Sequence, residues 1–137
     1  MPNPLDSLPG YALNRAAQAM MAELGSRLAP LDLRIAEASL LLLLGSKAAM
    51  TSSEIGRALG IARANMVPLL GRLEAASLIA REPIDRKSLA ITLTAAGKRM
   101  LKKVETLTRA FEEDLLSRIP AEHRAHFVPA LNALWQH

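Results

Sequence analysis

The sequence predicts a mainly α-helical fold with a small β-hairpin, and three observations support this prediction. Apolar residues recur every three or four positions along most of the 137-residue chain, which is the period of an α-helix. Two short helical segments are joined by a turn at Gly60, and the period changes to alternation within residues 78–93. Half of the residues are apolar and 22% are charged, so residues 1–137 are expected to form a single domain.

The N-terminal part is predicted to contain two helices. Three prolines within residues 1–9 indicate a loose arm, and residues 10–28 have the spacing of an amphipathic helix. Residues 32–46 are expected to form a second helix, with Gly45 as its C-terminal cap. Because residues 38–44 present an apolar surface on all sides, this second helix should lie in the middle of the core.

The next two helices are predicted to form a helix-turn-helix. Thr51 and Glu54 match a capping box, in which each side chain accepts a hydrogen bond from the other residue's backbone N–H. The short helix that begins there should end at Gly60, and residues 62–76 should form the second helix. Its start lacks a capping side chain, which is worth about 1 kcal/mol. Pro68 lies inside it and costs about 3 kcal/mol, so we expect a kinked or tightened first turn rather than a broken helix.

A β-hairpin and two further helices complete the chain. Residues 78–81 and 88–93 are the predicted strands, the second with Leu89, Ile91 and Leu93 on one face, and a polar tip lies between the strands. Thr94 is expected to cap a long helix that is broken at Ile119-Pro120. Residues 121–136 then resume helical spacing.

Positive charge is concentrated in the middle of the chain. Residues 47–103 carry 11 basic and 4 acidic side chains, a net charge of +7, whereas the whole chain carries +4. This asymmetry indicates a segment that meets a polyanion, with an ordinary solvated surface as the alternative. A helix-turn-helix followed directly by a hairpin with a basic tip is a winged helix, predicted here for residues 32–100. Its second helix would enter the major groove of DNA and its hairpin the adjacent minor groove.

Six short motifs in this region, and the spacing between them, carry a resemblance to a known family. They are Met50-Thr51-Ser52-Ser53-Glu54-Ile55, Leu59-Gly60-Ile61, Leu69-Leu70-Gly71-Arg72-Leu73-Glu74, Leu78-Ile79, Asp85-Arg86 and Leu93-Thr94-Ala95-Ala96-Gly97. Together they resemble the MarR family of bacterial transcriptional regulators (multiple antibiotic resistance regulators). The resemblance implies a homodimer that binds a palindromic operator as a repressor. Residues 10–31 and 104–137 would be its dimerisation helices, and their apolar content exceeds what a monomer of this length would comfortably cover.

The expected DNA-binding residues lie on the helix-turn-helix and on the wing. Arg63 can donate two hydrogen bonds to guanine and Asn65 can pair with adenine; a phosphate or surface role for Arg63, and a local turn role for Asn65, remain open. Thr51, Ser52 and Ser53 lie at the start of the first helix of the helix-turn-helix, where free N–H groups and hydroxyls would suit a phosphate. Arg86 is expected in the minor groove, and the resemblance implies that Asp85 orients the wing by binding a neighbouring arginine. The full set is Thr51, Ser52, Ser53, Arg63, Ala64, Asn65, Met66, Arg72, Asp85, Arg86 and Lys87.

Arg72 and a basic cluster at the start of the long helix have more than one possible role. Arg72 is expected to clamp a phosphate or to pair with Asp85. The cluster consists of Lys98, Arg99, Lys102 and Lys103, and either approaches the DNA backbone or forms a solvated helix face. Pro68 stands where related regulators often have a basic or polar residue, so no contact is carried over to that position.

The resemblance also implies release from DNA by a small anionic or phenolic effector. An arginine in an apolar crevice would suit a carboxylate. The candidate residues are Tyr11, Arg15, Met20, Leu24 and Arg34, with core packing or surface charge as their alternative roles. Without cysteine, a thiol-oxidation switch has no residue to act on.

Other functions have weaker support in the sequence. Neither an enzyme nor a resident cofactor is expected, because the only local metal-ligand candidate, Glu122-His123 with His126, lacks a further ligand of clear spacing. No metal site is therefore assigned. A winged helix that binds protein instead of DNA is the alternative function, although its wing tip would be expected to be neutral. With no membrane span or signal peptide, the expected location is the cytoplasm.

Overall fold

The computed structural model describes residues 3–136. The chain packs as two compact units, one extending to Glu105 and the other beginning at Thr106, where the sequence predicts a single domain. The boundary lies within the long helix α5, which spans Ala95–Ser117. It falls close to residue 104, the predicted start of the C-terminal dimerisation region.

The first unit begins with two helices, of which the second differs from its prediction. A 3-10 turn at Pro4–Ser7 precedes helix α1, Pro9–Leu28, so part of the predicted arm is ordered. Helix α2 spans Ile35–Lys47 and does not begin at Asp32, which takes a left-handed conformation with φ of 56°. Gly45 lies inside α2 and is not its cap. An added Cβ there would lie 2.5 Å from Leu101 Cδ2, so this glycine permits close packing instead.

The helix-turn-helix forms as predicted. Helix α3 spans Ser52–Leu59 and helix α4 spans Arg63–Ala75. Gly60 ends α3 with φ of 68°, a left-handed conformation that glycine adopts without steric cost. Four side chains on one face of α4 are buried, namely Met66, Leu69, Leu70 and Leu73.

The hairpin belongs to a three-stranded sheet rather than standing alone. Strands β1 (Ala49–Thr51), β2 (Ile79–Pro83) and β3 (Leu89–Leu93) are antiparallel in the order β1-β3-β2. Ile91, in the middle of β3, faces Met50 on one side and Arg81 on the other. The prediction missed β1 because three residues are too few to show an alternating pattern. Of the residues predicted on one face of this strand, Ile91 is 1% exposed but Leu89 is 45% exposed, because its register position beside Pro83 is at the wing tip.

The core of the first unit is aliphatic and centres on α2, as the sequence predicts. Leu40, Leu41 and Leu44 are all buried. Leu28, Ile55, Leu73 and Ile91 add buried side chains from α1, α3, α4 and the sheet. Helices α3 and α4 are thereby packed against a close-packed aliphatic core.

The second unit contains the rest of α5, a 3-10 turn at Ala121–His123 and helix α6, Arg124–Asn132. The break at Ile119-Pro120 is confirmed, but α6 ends before the predicted position at residue 136. No residue of α6 is buried, and Trp135 beyond it is 66% exposed. Across residues 3–136, the structure contains no helix with both the length and the apolar character needed to cross a bilayer.

Candidate nucleic-acid interface

The start of α3 is held by the predicted capping box. The Glu54 backbone N–H donates to Thr51 Oγ1 at 3.2 Å, and the Thr51 N–H donates to Glu54 Oε1 at 3.2 Å. The Thr51 hydroxyl also donates to that carboxylate at 3.0 Å. Thr51 is thus engaged within the cap, and Ser52 and Ser53 are the residues that present hydroxyls at this helix terminus.

Helix α4 tolerates the proline inside it. The helix is continuous from Arg63 past Pro68, as predicted, and Ala62 at its N-cap makes no side-chain cap. The Asn65 N–H donates to the Ala62 carbonyl at 2.9 Å, an i to i−3 bond typical of a tightened first turn. The backbone of the first turn is therefore held by a hydrogen bond although no side chain caps it.

A groove of about 740 Å³ separates α3 from the N-terminal half of α4. Ser52, Ser53 and Arg57 line it from α3, and Arg63 and Val67 line it from α4. Two hydroxyls and two guanidinium groups on one concavity can donate hydrogen bonds to phosphate oxygens or to base edges. Arg57 and Val67 were not predicted as site residues, although helical spacing alone places both on exposed faces.

Met66 is not an outward residue of α4. Its side chain is 3% exposed and belongs to the core face of α4, which corrects its assignment as a base-contacting residue. The error arises because the four residues from Arg63 to Met66 span a full helical turn, so they cannot all point outwards. Arg63, Ala64 and Asn65 are exposed, as predicted.

Arg72 is paired with a residue that the sequence did not indicate. Its Nε donates to Glu37 Oε2 at 2.7 Å, and the second oxygen of that carboxylate accepts from the Arg34 backbone N–H at 2.7 Å. Glu37 is 3% exposed, and its hydrogen bond and negative charge raise the pKa of Arg72 above the ordinary value of an arginine. The expected pairing of Arg72 with Asp85 is therefore wrong. Arg72 instead connects α4 to the start of α2.

The wing tip is shaped by Asp85 through the backbone. Asp85 Oδ1 accepts from the N–H of Lys87 at 2.8 Å and from the N–H of Ser88 at 2.9 Å. The Ile84 N–H donates to the Ser88 carbonyl at 3.0 Å and closes the turn. The arginine near the wing base, Arg81, binds Glu74 with 2.9 Å between Nε and Oε1. Asp85 thus orients the loop without the neighbouring arginine that the resemblance implied, and leaves exposed basic side chains at its tip.

The candidate effector residues are not brought together by the structure. Arg15 donates to the Tyr11 hydroxyl at 3.0 Å and lies over its ring. Arg34 lies elsewhere, in a cleft of about 330 Å³ with Asn65 and Arg72. Neither Tyr11, Arg15, Met20 nor Leu24 lines this cleft or the two clefts of about 490 Å³ beside it. The structure also gives no support to the metal-ligand candidate Glu122-His123 with His126. Among residues 3–136 there is no cluster of three or more His, Cys, Asp or Glu residues that could hold a metal ion.

Comparisons with known proteins agree with this geometry. The family model described as "MarR family" matches residues 31–87. HTH-type transcriptional repressor Rv2887 of Mycobacterium tuberculosis is 30% identical over 131 residues, covering 94% of each chain. A structure of the transcriptional repressor CouR bound to a 23-mer DNA duplex is 32% identical, with a TM-score of 0.87 over 95% of this chain and 94% of that one.

A third structure contains a small molecule. It is the M. tuberculosis Rv2887 protein in complex with salicylic acid, 30% identical, with a TM-score of 0.72 over 94% of this chain and 97% of that one. The two relatives match nearly the full length of the chain, including the wing and the terminal helices. On this evidence the chain belongs to the MarR family of winged-helix transcriptional regulators.

Proposed function

We propose that this protein is a homodimeric repressor that binds a palindromic operator and is released from it by a small anionic or phenolic molecule. The observation that carries the proposal is the groove between α3 and α4, which is lined by Arg57 from α3, by Arg63 from α4 and by two serines. Donors on both walls of a groove at the start of a reading helix suit a DNA strand. The relatives named as repressors and the DNA-bound CouR support the same role.

The wing extends this surface. Arg86 and Lys87 are exposed at a tip that the Asp85 turn holds in shape. A cation on a rigid loop beside the reading helix can enter a narrow minor groove without a large loss of conformational entropy. We assign Arg86 to the minor groove and Lys87 to a phosphate.

Exposed apolar side chains on the terminal segments support the dimer. In the second unit Leu116, Val128, Leu134 and Trp135 are exposed, and in α1 Leu13 and Met21 are exposed. Patches of this kind on a soluble chain mark an interface. A two-fold pair of chains would present one winged helix to each half of a palindrome. A regulator of operator DNA acts where the chromosome lies, so we place it in the cytoplasm and assign it no catalysis.

The cleft lined by Arg34 and Arg72 supports the effector role. Its lining includes Arg34, Arg72 with its partner Glu37, and the apolar residues Ile61, Pro68 and Leu69, and an arginine beside an apolar wall suits an aromatic carboxylate. The salicylic acid complex of the Rv2887 protein shows that a relative binds such a molecule. We assign the effector to this cleft, and of the predicted residues we retain Arg34.

The experiment combines operator selection with a charge variant. Duplexes are selected from a random pool by the wild-type protein, and the affinity for the best duplex is measured by fluorescence anisotropy at several salt concentrations. Each phosphate neutralised contributes about 0.9 to the slope of log K against log salt. Arg86→Ala should lower the affinity and preserve the dimer in analytical ultracentrifugation. Arg109→Ala, an exposed arginine of the second unit, is the matched control and should leave the affinity unchanged.

The rival function, a winged helix that binds protein, predicts a different outcome. In that case selection would enrich no sequence, and Arg86→Ala would bind every duplex as the wild type does. Either result would overturn the proposal.

A further inference from the structure

Part of the outward surface of helix α4 is apolar. Its buried face consists of Met66, Leu69, Leu70 and Leu73, which leaves the opposite side to solvent. The exposed positions on that side are Ala64, Val67, Pro68 and Gly71. Spacings of three and four residues place them next to one another on one face, and none carries a side-chain hydrogen-bond donor. We call these four residues the apolar stripe.

Val67 is the prominent member of the apolar stripe. It is 71% exposed, the highest value for any large apolar side chain within residues 3–136. It also lines the α3–α4 groove together with Arg57 and Arg63. A branched aliphatic side chain at this exposure contributes little to the core, and its place in the groove beside two arginines makes it available to a molecule bound there.

The major groove offers one apolar group to such a side chain. Thymine carries a C5-methyl group there, whereas the other base edges present hydrogen-bond donors and acceptors. A valine cannot satisfy those polar groups, so burying it against them would leave them without partners. The small residues Ala64 and Gly71 also allow the helix to approach the bases closely, because they lack long side chains.

We propose that Val67 is a specificity-determining residue that recognises a thymine methyl group in each half of the operator. This inference rests on the proposed function, since it requires α4 to lie in the major groove. It adds a base preference that Arg63 and Asn65 do not supply, because their polar groups match guanine and adenine. Arg63 then helps to fix the position of the helix, while Val67 discriminates against cytosine at the base that it contacts.

The test removes the methyl group from the DNA and the side chain from the protein. The duplex is the one enriched from a random pool by the wild-type protein, and each thymine in turn is replaced by deoxyuridine, which lacks only the methyl. At one thymine per half-site, the wild-type affinity should fall about fourfold per replacement, the expected effect of one buried methyl group. For Val67→Ala the same replacements should have no effect, because the contact is already lost.

Two controls separate this outcome from a general loss of binding. Arg63→Ala should bind more weakly at every duplex yet keep the deoxyuridine penalty, since the valine is intact. Val67→Ala should melt no lower than the wild type, because Val67 is exposed and alanine favours a helix. A wild-type protein indifferent to every deoxyuridine, or a Val67→Ala variant that keeps the penalty, would overturn the inference. Failure to enrich any duplex would instead refute the proposed function.

Discussion

Two glycine-to-alanine substitutions should have opposite effects on stability. Gly97 lies in the first turn of α5, where an added Cβ would overlap the Leu78 backbone carbonyl oxygen. Gly71 lies in α4, where an added Cβ would meet no atom within 4 Å. Both substitutions place the same methyl group in a helix, so only the surroundings of that group differ between them.

The structure fixes the size of the effect at Gly97. The Leu78 carbonyl cannot shift freely, because it accepts from the Thr94 N–H at 3.1 Å while the Leu78 N–H donates to the Leu73 carbonyl at 3.0 Å. Overpacking against such backbone costs about 3 kcal/mol, and the higher helix propensity of alanine returns about 1 kcal/mol. Gly97→Ala should therefore lose about 2 kcal/mol, whereas Gly71→Ala should gain up to about 1 kcal/mol.

The assay is thermal and urea unfolding followed by circular dichroism, without DNA and at one fixed protein concentration. For a chain of this size about 1 kcal/mol corresponds to about 4 °C. We expect the melting temperature to fall by about 8 °C for Gly97→Ala and to rise by up to about 4 °C for Gly71→Ala. If both variants melted at the same temperature, the steric argument would be refuted.

Three further predictions concern the cap, the Glu37–Arg72 ion pair and the C-terminal apolar surface. Thr51→Ala should lose about 1 kcal/mol of stability in urea unfolding and keep the wild-type salt slope, because its hydroxyl serves the cap. Arg72→Ala should lower the melting temperature more than Glu37→Gln, since it leaves a buried carboxylate with only the Arg34 N–H. Because the pKa of Arg72 is raised by Glu37, the guanidinium keeps its charge at mildly alkaline pH, so the difference in melting temperature should stay constant from neutral to mildly alkaline pH. Trp135→Ala should weaken dimerisation in ultracentrifugation by at least tenfold, and an unchanged dimer would contradict the interface assigned to it.

Local features of the chain were predictable from the sequence, and features that join distant segments were not. The Thr51–Glu54 box and the stop at Gly60 depend on residues within one turn of one another, and both are confirmed. Gly45 and Gly60 are both glycines, yet Gly45 lies within α2. Leu101, which is distant in sequence, packs against it there. The Glu37–Arg72 pair joins residues 35 positions apart, which no periodicity reveals.

The candidate site shows the same division. Exposure of Arg63 and Asn65 followed from the spacing of the core residues on α4. Burial of Met66 followed from the same spacing, because Met66 shares the core face with Leu69, Leu70 and Leu73. The environment of Arg34, by contrast, depends on how α2 meets α4, and the sequence contains no local signal for that contact.

The turn at Asp85 sets the shape of the wing tip through the backbone and not through the side chains exposed there. Its carboxylate binds backbone N–H groups, which every residue except proline provides. The loop therefore keeps these hydrogen bonds when the side chain at position 86 or 87 is exchanged for that of another non-proline residue. If the wing enters the minor groove as proposed, exchanges at these two positions would change its DNA preference at little cost to folding. Descendants of this protein could thus acquire new operators through the wing while the scaffold beneath it stays the same.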